Sequence, residues 1–240
     1  MIEAFAWGAF GASALLVGAL IAYAGTPSRR LIAVIMALGS GLLIGSVAFE
    51  LVDEALEMTD VAWVGVYTLI GAATFTAGDW WLGRRGGGQR KDPGGAQADG
   101  SPLAIVFGSV LDGIPESFVL GLTVLQGQVS VALLVGILHS NLPEGLGSSS
   151  GLRIAGWPRK RVVIMWVIVI AVAGVSAGLG YALLDPTHGH TGAFAQSFAA
   201  GALLAMITDT MLPEAYRVEG SLTGSLVAIG FAISLVLSAI

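Results

Sequence analysis

The sequence predicts an all-α, polytopic membrane protein of eight transmembrane helices with inverted internal repeats. Three observations predict it. The chain of 240 residues is 55% hydrophobic and only 11% charged, where a soluble domain carries roughly 25% charged residues. Its apolar residues gather in runs of about 20, enough to cross a hydrocarbon core of about 30 Å. Its 11 Lys and Arg fall only in alternate connections between those runs.

The first run, roughly 3–24, opens with Glu3 where a cleaved signal would be basic, so it reads as a span and not a leader. Arg29 and Arg30 precede the second, roughly 31–56, and the third covers roughly 61–82. Trp80 and Trp81 beside Arg84 and Arg85 form an interfacial belt in which Asp79 is an interface residue. Residues 84–101, rich in Gly and polar side chains, make a flexible loop. The remaining spans are roughly 102–125, 129–152, 161–184, 191–216 and 221–240. Basic residues occupy this loop and the connections at Arg29, Arg153–Arg161 and Arg217, while 57–60, 126–128 and 185–190 hold none. The positive-inside rule then puts the four basic connections in the cytoplasm and both termini outside a cell (inner) membrane. The whole of 1–240 reads as one transmembrane domain. With no cysteine, disulfides and thiolate ligands are excluded. The net charge of −5 gives no footprint for nucleic acid.

Two spans carry Pro-Glu pairs where a membrane helix should be most apolar. Gly108-Ser-Val-Leu-Asp112-Gly-Ile-Pro115-Glu116 aligns without a gap on Gly136-Ile-Leu-His139-Ser140-Asn141-Leu-Pro143-Glu144. A carboxylate at bilayer depth costs at least about 2.5 kcal/mol, so it needs a partner. Asp112 and Glu116 are one turn apart, as are Ser140 and Glu144, so each pair shares a helix face. Pro115 cannot donate to the Leu111 carbonyl, nor Pro143 to that of His139. Carboxylates, the Asn141 amide oxygen and freed carbonyls make an oxygen-rich cage suited to a divalent cation. By a rise of about 1.5 Å per residue, both sets reach the middle of the core from opposite sides.

Span two repeats in span seven. Gly41 lies over Gly201, Glu54 over Glu214 and Ala55 over Ala215, in segments of opposite orientation, as in many inverted-repeat transporters. Glu50 on the outer side and Asp209 on the inner side are pathway candidates. Asp53, Glu54 and Glu214 also fit as ordinary interface acids. His139, one position off the Ser140–Glu144 face, fits either a ligand or a hydrogen bond to a nearby carbonyl. His188 and His190 lie in an external loop.

On these residues the chain resembles the ZIP (Zrt/Irt-like) family of divalent metal transporters over nearly its whole length. That family's fourth-span pattern, His-Asn-x-Pro-Glu-Gly, falls on Asp112-Gly113-Ile114-Pro115-Glu116-Ser117, and its fifth-span pattern on Ser140-Asn141-Leu142-Pro143-Glu144-Gly145. Met211-Leu-Pro213-Glu214-Ala215 is similar to its seventh span. The resemblance implies a carrier, not an enzyme, that moves zinc into the cytoplasm by alternating access. Asp112, Glu116, Asn141, Glu144, Ser140 and His139 would be its metal ligands. Asp112 stands where the family has His, and carboxylate in place of imidazole shifts preference toward manganese or iron. The sixth span carries no acid to complete a second metal site. A proton-coupled carrier of another solute and a metal-binding sensor are the alternatives. An intramembrane hydrolase is disfavoured, because the chain lacks His-Glu-x-x-His. The bilayer and the metal are the expected partners, and Gly-rich faces also suit a homodimer.

Overall fold

A computed structural model describes residues 1–25, 28–87, 102–125, 127, 129–183 and 189–239. Most of the loop expected at 84–101, and His188, lie outside these residues, and the side chain of His190 is not described. Among the described residues there is no strand. The helices are α1 (Ile2–Ala24), α2 (Arg29–Met58), α3 (Val61–Leu82), α4 (Pro102–Leu125), α5 (Val131–Ile154) and α6 (Arg159–Leu183). They are followed by α7, built of Gly189–Met206, Ile207–Met211 and Leu212–Glu219, and by α8 (Leu222–Leu237). Ser28 caps α2 by accepting from the Leu31 amide at 3.2 Å, and Ser130 caps α5 through Leu133 at 3.0 Å.

Six of these, α1 to α4, α6 and α7, are long and apolar enough to cross a membrane, so the protein is a multi-pass, all-α membrane protein. Two of the eight expected spans fall short of that measure for separate reasons. α5 carries His139-Ser-Asn-Leu-Pro-Glu-Gly-Leu-Gly-Ser-Ser149, a polar stretch that is buried against other helices rather than presented to lipid. α8 has only 16 residues, a reach of about 24 Å at 1.5 Å per residue.

The helices pack in two groups. α1 lies along α5 and α6, and α4 along α6; separately, α2 lies along α8 and α3 along α7. α2 joins the groups by packing against α5, whereas α4 meets α7 more loosely. Glycine sets the close approaches. A Cβ on Gly41 would run into the Val227 carbonyl, and one on Gly230 into that of Leu38. The α3–α7 contact uses the matching positions: Gly201 meets the Thr68 carbonyl and Gly71 that of Phe198. A second pair of contacts corresponds in the same way. Gly18 and Gly145 join α1 to α5 through the carbonyls of Leu142 and Leu15, while Gly180 and Gly121 join α6 to α4 through those of Phe118 and Ala177. Small residues let backbones approach in an apolar solvent, where packing and not water exclusion drives helix association.

Contact order gives the helix directions. Along α2 and α8, Leu38 meets Gly230, Gly45 meets Ser234 and Glu50 meets Ser238, so they run parallel. α3 and α7 are parallel by Tyr67–Phe194, Gly71–Phe198 and Thr76–Asp209, and α1 and α5 by Gly11–Ile137, Gly18–Leu142 and Ala22–Arg153. α2 and α5 are antiparallel, since Gly39 meets His139 and Glu50 meets Ser130. Both α2 and α7 widen into a π turn, Val47–Val52 and Ile207–Met211, at matching places in the register that sets Gly41 over Gly201. In α7, Pro213 follows at once and withholds the amide that Asp209 would otherwise receive. α2 makes the turn without a proline.

The ends are stapled by polar side chains. Arg153 on α5 donates to the carbonyls of Ala22 and Gly25 at the end of α1, and Tyr23 donates to the Trp157 carbonyl at 2.7 Å. Arg30 at the start of α2 pairs with Glu219 at the end of α7 at 3.0 Å. A cation satisfies unpaired carbonyls at a helix C-terminus and complements its dipole. Arg153→Met is therefore expected to cost about 1 kcal/mol, measured as a lowered Tm in detergent, with Arg153→Lys recovering part of it.

Candidate functional site

α4 and α5 bring the two Pro-Glu segments together. Asp112, Glu116 and Glu144 are 1%, 2% and 3% exposed, and Ser140 and Asn141 are buried beside them. Carboxylates held this far from water need protons, donors or a cation to offset their lost hydration. One donor is Ser140, whose hydroxyl reaches Glu116 Oε1 at 2.9 Å and also lies 3.0 Å from the Ile137 carbonyl. It has a single proton, so it cannot serve both fully. Asn141 Nδ2 donates to the Gly11 carbonyl at 3.2 Å, which ties the site to α1 and fixes the amide.

The packing roles of α4 against α6 and of α5 against α1 match in a register that differs from the motif alignment. Packing places Phe118 in the role of Leu142 and Gly121 in that of Gly145. It thus sets Glu116 opposite Ser140, the pair that is hydrogen-bonded, and lies one helical turn from the register that sets Pro115 over Pro143. The two prolines therefore serve different neighbours. The His139 carbonyl, deprived of its donor by Pro143, faces α2 at Gly39, where a Cβ would lie 3.2 Å from the carbonyl oxygen. Glycine there leaves that oxygen approachable.

The other sequence candidates are placed apart. The His139 ring is half-buried, with Nδ1 2.8 Å from the Val135 carbonyl, and lines a cavity of about 260 Å³ with Phe10 and Val17 of α1. Among the described residues no three His, Asp or Glu side chains converge as a metal-holding group. Glu50, in the π turn of α2, accepts from Ser130 at the N-cap of α5 and from Ser238 beyond α8 at 3.1 Å. Asp209 is exposed and accepts from Thr76 of α3 at 3.2 Å. Glu54 accepts from buried Gln196 of α7, and Glu214 is paired with Arg217 at 3.2 Å.

Three residues escaped the sequence reading. Ser109 is 1% exposed and shares the α4 face of Asp112 and Glu116. With Gly113 and Asn141 it borders a small void of about 10 Å³, close to the space of one water. Its spacing, one turn before Asp112, was a usable signal. Ser130 and Ser238 lie at helix ends, and nothing in their local pattern marks them as partners of Glu50.

Fold and site define the class: a multi-pass, all-α membrane protein with buried carboxylates on two of its helices, Asp112 and Glu116 on α4 and Glu144 on α5. No family model matches the chain, and no curated protein matches it.

Proposed function

We propose that this protein is a membrane carrier that moves a divalent metal cation as its substrate. Asp112, Glu116, Asn141 and Glu144 would contact the cation between α4 and α5, with Ser140 positioning Glu116. The observation that carries the reading is the burial of three carboxylates, with Glu116 and Ser140 joined across the two helices. A hard, oxygen-rich donor set favours zinc less than an imidazole site would, and manganese or iron more.

We read all eight helices as spans. The alternating directions support this, because α1 with α5, α2 with α8 and α3 with α7 run parallel while α2 opposes α5. Matching glycine contacts and matching π turns support an inverted repeat of α1–α3 in α6–α8. Such a repeat suits alternating access, with the group of α1, α4, α5 and α6 moving against the other. The ZIP resemblance supplies the inward direction. Glu50, bonded to both α5 and α8, would hold one end shut, and Asp209 would serve the other.

A proton-coupled carrier of another solute is the second reading, favoured by the fact that among the described residues no three His, Asp or Glu side chains converge. Purified protein in liposomes loaded with a metal-responsive dye separates the two. Uptake of zinc, manganese or iron above protein-free liposomes is expected. Proton flux with no metal signal for any of the three would sink the metal reading and leave the second.

A further inference from the structure

We propose that the cleft between α4 and α7 binds one acyl tail of a membrane lipid. The cleft has a volume of about 380 Å³ and is bounded by Ile114, Pro115 and Phe118 on one side and Phe194, Phe198 and Ala199 on the other. Pockets of about 300–1,000 Å³ hold small ligands. No side chain in this one offers a hydrogen bond, so water has nothing to hold it.

Depth and direction of opening identify the guest. Both helices are long and apolar enough to cross a membrane. At about 1.5 Å per residue, Ile114 to Phe118 lie roughly 18–24 Å from the start of α4, and Phe194 to Ala199 roughly 8–15 Å from the start of α7. That places the cleft within a core of about 30 Å. Ile114 is 44% exposed and Phe194 40%, so the cleft opens sideways, toward hydrocarbon at that depth.

The corresponding contact elsewhere in the molecule explains why a guest is needed. In the packing registers already described, Ala199 takes the place of Gly39 and Pro115 that of His139. There the backbones meet closely, with the His139 carbonyl carbon 3.1 Å from where a Gly39 Cβ would be. α4 and α7 meet more loosely than α2 and α5, with the Pro115 ring and the Ala199 methyl lining the cleft between them, and a flexible apolar chain would fill the difference. The tail would rest on Pro115, next to Glu116, and keep water from that side of the carboxylates.

Photolabelling tests this in the intact chain. The protein is placed in phosphatidylcholine vesicles bearing a diazirine on the acyl chain, illuminated, and its adducts mapped. Adducts are expected on Ile114, Pro115 and Phe118 and on Phe194 and Phe198. Filling the cleft with Ala195→Phe, at a residue that also lines it, or more mildly with Ala199→Leu, should lower these at least about fivefold, a loss near 1 kcal/mol of occupancy. Adducts on the exposed Val66, Leu69 and Ile70 of α3 should persist in both variants. Undiminished cleft labelling in both variants overturns the proposal. So does labelling of α3 alone in the parent, or cleft labelling by a headgroup-diazirine lipid but not by the acyl-diazirine one.

Discussion

Glutamine in place of Glu116 or Glu144 is expected to abolish divalent-cation uptake while the protein stays folded. Glu116 is buried, and its contact with Ser140 needs only an oxygen acceptor, which the side-chain amide of the E116Q variant still provides. Shape and hydrogen bond therefore survive, and the negative charge does not. If the charge is what meets the cation, uptake in proteoliposomes should fall at least about tenfold, a loss of about 1.4 kcal/mol or more. The Tm should stay near the parent value, or rise, since a buried charge has been removed. Ser140→Ala should give a smaller deficit by letting the Glu116 carboxylate turn. Parental uptake in both E116Q and E144Q would remove these residues from the pathway and with them the metal site as drawn.

The second large effect concerns packing. Valine at Gly145 or Gly121 is expected to destabilise the protein by about 3 kcal/mol or more, because the new Cβ meets a backbone carbonyl, of Leu15 or of Ala177, and neither can turn aside. The readout is a Tm in detergent lower by at least about 6 °C. Gly65→Val and Gly224→Val serve as controls, since nothing lies within 4 Å of a Cβ at either place. Equal stability of all four variants would show that these helix contacts are wrongly drawn. A loss at Gly145 and Gly121 of similar size would further support the matched roles of α1–α5 and α6–α4.

Much of this architecture was legible in the chain. Apolar runs bounded by basic residues located the helices to within a few positions, and the spacing of Asp112 with Glu116 and of Ser140 with Glu144 put each pair on one face. α2 and α7 each hold a π turn, Val47–Val52 and Ile207–Met211, at the same separation in sequence as Gly41 and Gly201.

Other features were not legible. The motif alignment sets Pro115 over Pro143, yet packing matches the helices one turn away from it, with Phe118 against α6 where Leu142 lies against α1. His139 stands beside the motif, yet its ring faces α1. Glu50 reads in the sequence as an outer pathway acid, and nothing there shows that it bonds to Ser130 and Ser238, residues far along the chain. By itself the sequence determined which residues are helical, which share a face and which ends are basic, because these follow from local periodicity and charge. Only the tertiary structure decided the axial slide and rotation of one helix on the next. Those depend on where Gly18, Gly121, Gly145 and Gly180 let a backbone come close, a condition set jointly by segments distant in sequence.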